Sequence, residues 1–241
     1  NYGVSTILNS SATSATVPLN TWTHCAVSRA SGFTRMFING ALISSYTNAN
    51  TVATDGSQYP EIGGNSSGGA PFYGSISNLR VVKGSAVYTA AFTPSTTPLT
   101  AIANTSLLTC QSATFVDNST NNFTITAATT TVKPTRFNPF TVSYSTQQTY
   151  STTVLGGSAY FDGNGDYLVT PSSSLLGLGT SNFTVEFWCY FNASQTTTRT
   201  VFVGSDQSFA ANFWGIQLNN TSPSYVNKIN IWIYNVNSAG V

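Results

Sequence analysis

"INIWIYNVNSAGV", residues 229–241, closes the chain, and "NYGVSTIL", residues 1–8, opens it. The closing stretch alternates through Tyr234 and then runs into an Asn-Ser-Ala-Gly turn. Period-two alternation marks a strand with one face buried. A strand and a turn with no returning strand leave an open sheet edge, and bare apolar edges aggregate. "INIWIY" carries no Pro and no inward charge, with Lys228 alone at its start. Strand 229–234 is therefore expected to pair with a strand near residues 1–8, within the chain or with a neighbouring copy. That pairing turns 235–240 into a hairpin connection.

The composition agrees with strands. Of 241 residues, 41% are hydrophobic, enough for a sizeable core, but only 6% are charged, far below the usual quarter. The polar surface must then be built from Ser, Thr and Asn. Thr, Val, Ile, Tyr and Phe suit pleated, half-buried strands. Gly, Asn and Ser clusters recur at short intervals, and no helix-length window shows a strong 3.6-residue period. The fold class read from this is all-β. The eight cationic residues are scattered and the net charge is +1, so no basic patch suggests nucleic acid. No apolar run reaches the length of a membrane span. Cys25, Cys110 and Cys189 lie far apart in strand-like contexts. No close Cys pair offers a metal site, and buried free thiols are the favoured reading. Cys25–Cys110 and Cys110–Cys189 disulfides stay open as alternatives.

Along the chain, "WTHCAVSR" (22–29) and "TRMFING" (34–40) read as strands, the second closed by the hairpin pair Asn39-Gly40. "ALISSYT" (41–47) returns. "YPEIGGNSSGGAPFYGSISNLRVVKG" (59–84) runs strand, glycine loop, strand. Residues 85–100 read as a loop with at most one helical turn, and "SLLTCQ" (106–111) as a strand. Residues 112–156 are Thr/Ser/Asn-rich, with one or two short strands, and read as a connector with little core of its own. A fresh apolar pattern starts at "GGSAYFDGNGDYLVTP" and continues through "SNFTVEFWCYFN" (181–192), "RTVFVGS" (199–205) and "FWGIQLN" (213–219).

If the strands of 156–241 are taken first and those of 1–111 second, they make one complete antiparallel sandwich. In that order the motifs "AYFDGNGDYLVTP", "FTVEFWCYF", "NTWTHCAVSR", "TRMFINGALI", "EIGG" and "FYGSISNLRVVKGSAVY" resemble the laminin-G-like, concanavalin A-like jelly-roll family. "SLLTCQSATFVDNSTNNFTI" followed by "FNPF" and "GGSAYFDGNGDYL" looks like the junction between consecutive domains in structural proteins of bacteriophages, marine ones especially. The resemblance implies a C-terminal half-sandwich at 1–111, an interdomain junction at 112–156, and the N-terminal half of a next sandwich at 157–241. A tandem array, a permuted self-closed sandwich and head-to-tail completion between copies all fit, with the array or the assembly ranked above self-closure.

Glycosidases of this superfamily carry paired carboxylates two or four residues apart on one strand. Glu186 has no acidic neighbour at those spacings, so hydrolysis, which needs two carboxyls across the bond, is not expected. His24 and Cys25 are strand neighbours and point to opposite faces, so they form no dyad there. In "DGNGDY", Asp162, Asn164 and Asp166 have the 1-3-5 spacing that opens a Ca²⁺ loop. The later bidentate Glu is missing, and the glycines suit a hairpin equally well. No cofactor is expected, structural Ca²⁺ on those three residues being the alternative. Phe183, Val185, Phe187 and Cys189 share one face of their strand, while Glu186, Trp188 and Tyr190 share the other. With Trp232 and Tyr234 they form a candidate carbohydrate platform, weighed against plain sandwich core, which is favoured.

The function read from the sequence is non-enzymatic. It is a structural β-sandwich module of a phage virion appendage, such as a tail fibre, with host-surface carbohydrate as its candidate ligand. Neighbouring copies, in tandem or head to tail, are the expected partners; nucleic acid and membrane are not. An extracellular bacterial adhesin or filament subunit is the alternative, and a glycoside hydrolase comes third.

Overall fold

The computed structural model describes residues 4–9, 15–47, 60–65, 70–140, 156–192, 199–205, 214–219 and 228–234; side chains at 4–9, 199–201, 205, 219 and 230–234 lie outside the description. Fifteen strands appear among these residues. They are β1 (Val4–Asn9), β2 (Thr23–Ala30), β3 (Phe33–Ile38), β4 (Ala41–Thr47), β5 (Pro60–Ile62), β6 (Tyr73–Lys83), β7 (Thr105–Thr109) and β8 (Thr126–Ala127), then β9 (Lys133–Thr135), β10 (Ser158–Asp162), β11 (Leu168–Val169), β12 (Phe183–Phe191), β13 (Arg199–Ser205), β14 (Trp214–Asn219) and β15 (Lys228–Tyr234). A 3₁₀ turn, Ser174–Leu176, is capped by the Ser173 side chain. Among the described residues no helix is long and apolar enough to cross a membrane.

The strands form two antiparallel sheets, the expected concanavalin A-like sandwich architecture. One has seven strands in the order β1-β15-β14-β13-β5-β11-β8. The other has eight, β4-β3-β2-β12-β6-β10-β9, with β7 also on β6. The long strand β6 is shared along its far side: β10 pairs with residues 73–76 and β7 with 79–82.

The seam between the ends closes within the chain. β15 pairs with β1 from Val4↔Tyr234 to Asn9↔Asn230, with a bulge between Thr6 and Leu8. The two portions of the chain also interleave elsewhere. β12 lies between β2 and β6, and β5 lies between β13 and β11. One sandwich is thus assembled from the described strands of both portions, with β8 and β9 from between them.

Alternation in β12 sets the core. Phe183, Val185, Phe187, Cys189 and Phe191 all enter the inter-sheet cluster with Phe72, Phe161 and Phe202. The rings of Phe72, Phe191 and Phe202 meet at 5.1 to 5.6 Å, mostly edge to face, the favoured arrangement for aromatic pairs. The connector reading of 112–156 needs revising over its described part. Ile125 and Val132 join the shared core, β8 extends one sheet and β9 the other. The one or two short strands expected there are present as β8 and β9; strands of two and three residues are too short to show a period, so their share in the core is not legible in sequence.

A second buried layer lies on the opposite face of the eight-stranded sheet. An irregular strap, residues 84–104, crosses this outer face. It buries Phe37 under Tyr88 and Phe92, whose rings stack at 3.6 Å. The β3–β4 turn makes the crossing possible. Asn39 and Gly40 both have positive φ, 49° and 77°, the combination a two-residue hairpin prefers. Gly40 also accepts the Phe92 N–H at 3.0 Å, and a Cβ there would stand 1.8 Å from the Phe92 carbonyl oxygen. Glycine is required both for the turn and for the strap.

Candidate functional site

The outward residues of β12, Thr184, Glu186, Trp188 and Tyr190, run beneath the strap and beyond its edge. Their register neighbours on the same face are Ser28, Ala26 and His24 of β2, and Val82, Arg80, Ser77 and Ser75 of β6.

Glu186 is fully buried. Its Oε1 accepts from Arg80 Nε at 2.9 Å and Nη2 at 2.6 Å. Its Oε2 accepts from the Tyr88 hydroxyl at 2.7 Å and lies 3.3 Å from His24 Nε2. Burial alone would raise the Glu186 pKa. The His24 hydrogen bond, the Arg80 charge and the Tyr88 hydroxyl outweigh it and hold the carboxyl below its ordinary value. Tyr88 moves the other way, raised by burial and by the Glu186 charge. The candidate role of Glu186 as a sugar-facing carboxylate is therefore corrected: both oxygens are engaged inside the protein. Its partners stand 98 to 162 residues away in sequence, so nothing local announces them.

Trp188 is half-buried and floors an open pocket of about 300 Å³ lined also by Asn39, Pro94, Ser95, Thr96, Pro139 and Phe140. The walls are proline and aromatic, the rim amide and hydroxyl. Among the described residues the Trp188 indole N–H and His24 Nδ1 have no hydrogen-bond partner, and the two rings meet at 5.1 Å. Farther along the face Tyr190, Trp22 and Phe137 form a cluster with ring separations of 4.8 to 5.5 Å, and Phe137 is 46% exposed. Trp22, Phe137 and Phe140 do not stand out as site residues in the sequence. The available signal is "FNPF", two aromatics around Asn-Pro in an otherwise polar stretch, and Trp22 in alternation with His24.

Trp232 and Tyr234 belong to β15 in the seven-stranded sheet, and their side chains lie outside the described residues. Glu186, Trp188 and Tyr190 belong to the other sheet. The five candidate platform residues are thus divided between two sheets.

The Asp162–Asp166 loop is held by its own hydrogen bonds. Asp162 Oδ1 accepts the Asn164 N–H at 2.8 Å, and Asp166 Oδ2 accepts the Asp162 N–H at 2.8 Å. Asp166 Oδ1 accepts from the hydroxyls of Thr129 and Thr131. Burial would raise the Asp166 pKa, but these hydroxyls outweigh it and the net direction is down. The carboxylate ties the β10–β11 turn to the segment between β8 and β9. Among the described residues no three His, Cys, Asp or Glu side chains gather as metal donors. Asp117 is likewise internal, accepting three backbone N–H groups and the Ser119 hydroxyl. Residues 66–69 and 206–209 lie outside the described residues.

The two antiparallel sheets form a β-sandwich, an architecture consistent with concanavalin A-like proteins. Residues 3–96 match the family model of the Concanavalin A-like lectin/glucanases superfamily. The matched stretch includes His24, Asn39, Arg80, Tyr88 and Pro94 of the outer face; Glu186, Trp188 and Phe140 come from beyond it. No curated protein and no solved structure matches the chain.

Proposed function

We propose that the chain is a non-catalytic, carbohydrate-contacting β-sandwich module, and that it serves as a structural part of a phage virion appendage such as a tail fibre. The supporting observation is the outer face at Trp188. Sugar rings offer apolar C–H faces and a fringe of hydroxyls. A pocket with aromatic and proline walls and a rim of Asn39, Ser95 and Thr96 matches both. Its volume sits at the small end for ligand sites, suited to one or two sugar units. Trp22, Phe137 and Tyr190 extend the aromatic surface beyond it. The non-catalytic part rests on charge. Among the described residues no carboxylate lines this pocket, and the nearest, Glu186, is consumed by an ion pair. The virion part rests on the likeness of residues 106–168 to phage domain junctions. In that setting neighbouring copies of the domain are its structural partners.

The test is a glycan-binding screen with a soluble β-glucan among the probes, run beside an assay for released reducing ends. Binding that Trp188→Ala and Phe137→Ala each weaken at least tenfold, with no hydrolysis, is the expected result. Binding indifferent to both substitutions would overturn the site. Hydrolysis abolished by Glu186→Ala would overturn the non-catalytic reading.

A further inference from the structure

The wall of the Trp188 pocket is not part of either sheet. Pro94, Ser95 and Thr96 belong to the strap, which is tied to the sheet along its length, Phe92 N–H to the Gly40 carbonyl at 3.0 Å and Leu99 N–H to Asn78 Oδ1 at 2.8 Å among the ties. Near its entrance, Val87 N–H donates to Thr184 Oγ1 at 2.8 Å and the Tyr88 hydroxyl to Glu186. Near its exit, Arg80 Nη1 donates to the Thr100 carbonyl at 2.7 Å. The same Arg80 holds the other oxygen of Glu186 through Nε and Nη2. One buried ion pair therefore reaches both ends of the strap, and the pocket wall lies between the two points of attachment. The charged and titratable groups facing Glu186 are His24 from β2, Arg80 from β6 and Tyr88 from the strap.

We propose that Tyr88, Arg80 and Glu186 are positioning residues for this pocket: they seat the strap, and through residues 94–96 they set the width of the contact at Trp188. The inference rests on reading the Trp188 pocket as the carbohydrate contact. Packing alone does not fix the seat. The Tyr88–Phe92 stack over Phe37 supplies adhesion, but stacked rings slide at little cost. Hydrogen bonds to a buried charge are directional and strong, so together with the Phe92–Gly40 and Leu99–Asn78 bonds they select one seat among many. Binding then needs no reorganisation of the wall, which is what a preorganised site gains.

Tyr88→Phe separates the two contributions, because it keeps the ring and removes only the hydroxyl. Hydrogen exchange read residue by residue should show the Val87 and Phe92 amides losing protection roughly tenfold or more, as expected for loss of a hydrogen bond to a charged group. Amides of β2 and β12 should keep theirs. Acrylamide should quench Trp188 emission more readily, read by difference against Trp188→Phe. Affinity for a soluble β-glucan should fall several-fold through faster dissociation. Arg80→Lys, which keeps the charge but not the three-way geometry, should reproduce the pattern. Unchanged strap protection in both variants would overturn the inference, as would an equal loss across strap and sheets. Selective strap loosening in a protein that binds no glucan would leave the seating intact and refute the carbohydrate reading alone.

Discussion

Breaking the Arg80–Glu186 pair from each side gives the sharpest measure of the outer layer. Arg80→Met leaves a carboxylate with 0% exposure and only the Tyr88 and His24 hydrogen bonds. Glu186→Leu strands a guanidinium that is 5% exposed. Removing one partner of a buried pair costs about 3–5 kcal/mol, because the survivor keeps its desolvation without its counter-charge. That is a large share of a stability of roughly 5–15 kcal/mol. In the double variant no charge is left uncompensated. What remains is a Tyr88 hydroxyl and a His24 nitrogen without the Glu186 acceptor, at about 1–3 kcal/mol each, and a Thr100 carbonyl without the Arg80 donor. The double variant should therefore be more stable than the two single losses together imply, with a coupling of about 2 kcal/mol or more. Urea unfolding followed by tryptophan fluorescence and by far-ultraviolet circular dichroism gives the three free energies, provided the two probes coincide. Thermal midpoints should fall by roughly 6–20 °C in the single variants for a chain of this size. Single losses below about 1 kcal/mol that simply add would mean that water screens the pair as it does a surface salt bridge, and the reasoning would fail.

Acid should destabilise the protein through Glu186 and Asp166, whose folded-state pKa values are both lowered. The unfolded chain takes up protons near pH 4, so their contribution is whole above that range and disappears as pH falls through the lower folded values. Melting temperatures between pH 3 and 7 should show that decline, shallower in Asp166→Asn; a decline centred above pH 6 would contradict it. The three cysteines should resist thiol reagents in the native protein and all react once it is unfolded. They are buried and free, burial pushes Cys110 up to about 12 and Cys189 well above its ordinary value, and the Cys25 and Cys189 sulfurs stand 3.7 Å apart, within hydrogen-bond reach and not joined as a disulfide. Fewer than three thiols counted in denaturant without reductant would disprove this. Gly40→Ala should cost about 2 kcal/mol or more, since it adds a strained positive φ to a clash with the strap. An unchanged unfolding midpoint would show that the strap does not sit on this turn.

How far the sequence can be read depends on the range of each interaction. The alternation of 183–191 shows both faces of β12, because strand periodicity is local. It does not show which outward residue meets solvent. Glu186 and Trp188 are two residues apart on one face, yet the strap and Arg80 bury the first while the second floors an open pocket. Trp188 with Tyr190, and Trp232 with Tyr234, look alike in sequence. Only the strand order assigns them to different sheets. "DGNGDY" fits the start of a cation loop and a self-bonded turn equally well. The turn is completed by Thr129 and Thr131, in a polar run with no pattern of its own. The order of motifs along the chain, by contrast, carries the topology well, because each strand and hairpin announces itself within a short stretch of its own residues.

The interleaving of early and late strands has a consequence for how this molecule is made. His24 and Glu186 meet diagonally across adjacent strands but are 162 residues apart in the chain. At about 5–20 residues per second, a ribosome needs roughly 8 to 30 seconds between making one and making the other. Until β12 emerges, β2 and β6 each lack the neighbour that lies between them, and their apolar faces wait uncovered. Bringing such distant segments together carries a large loop-closure entropy before any contact repays it, and chains dominated by distant pairings fold slowly. The nascent protein therefore passes through an interval in which it is a substrate for chaperones and for its own neighbours on the polysome. A low-charge chain has little electrostatic repulsion to hold those neighbours apart.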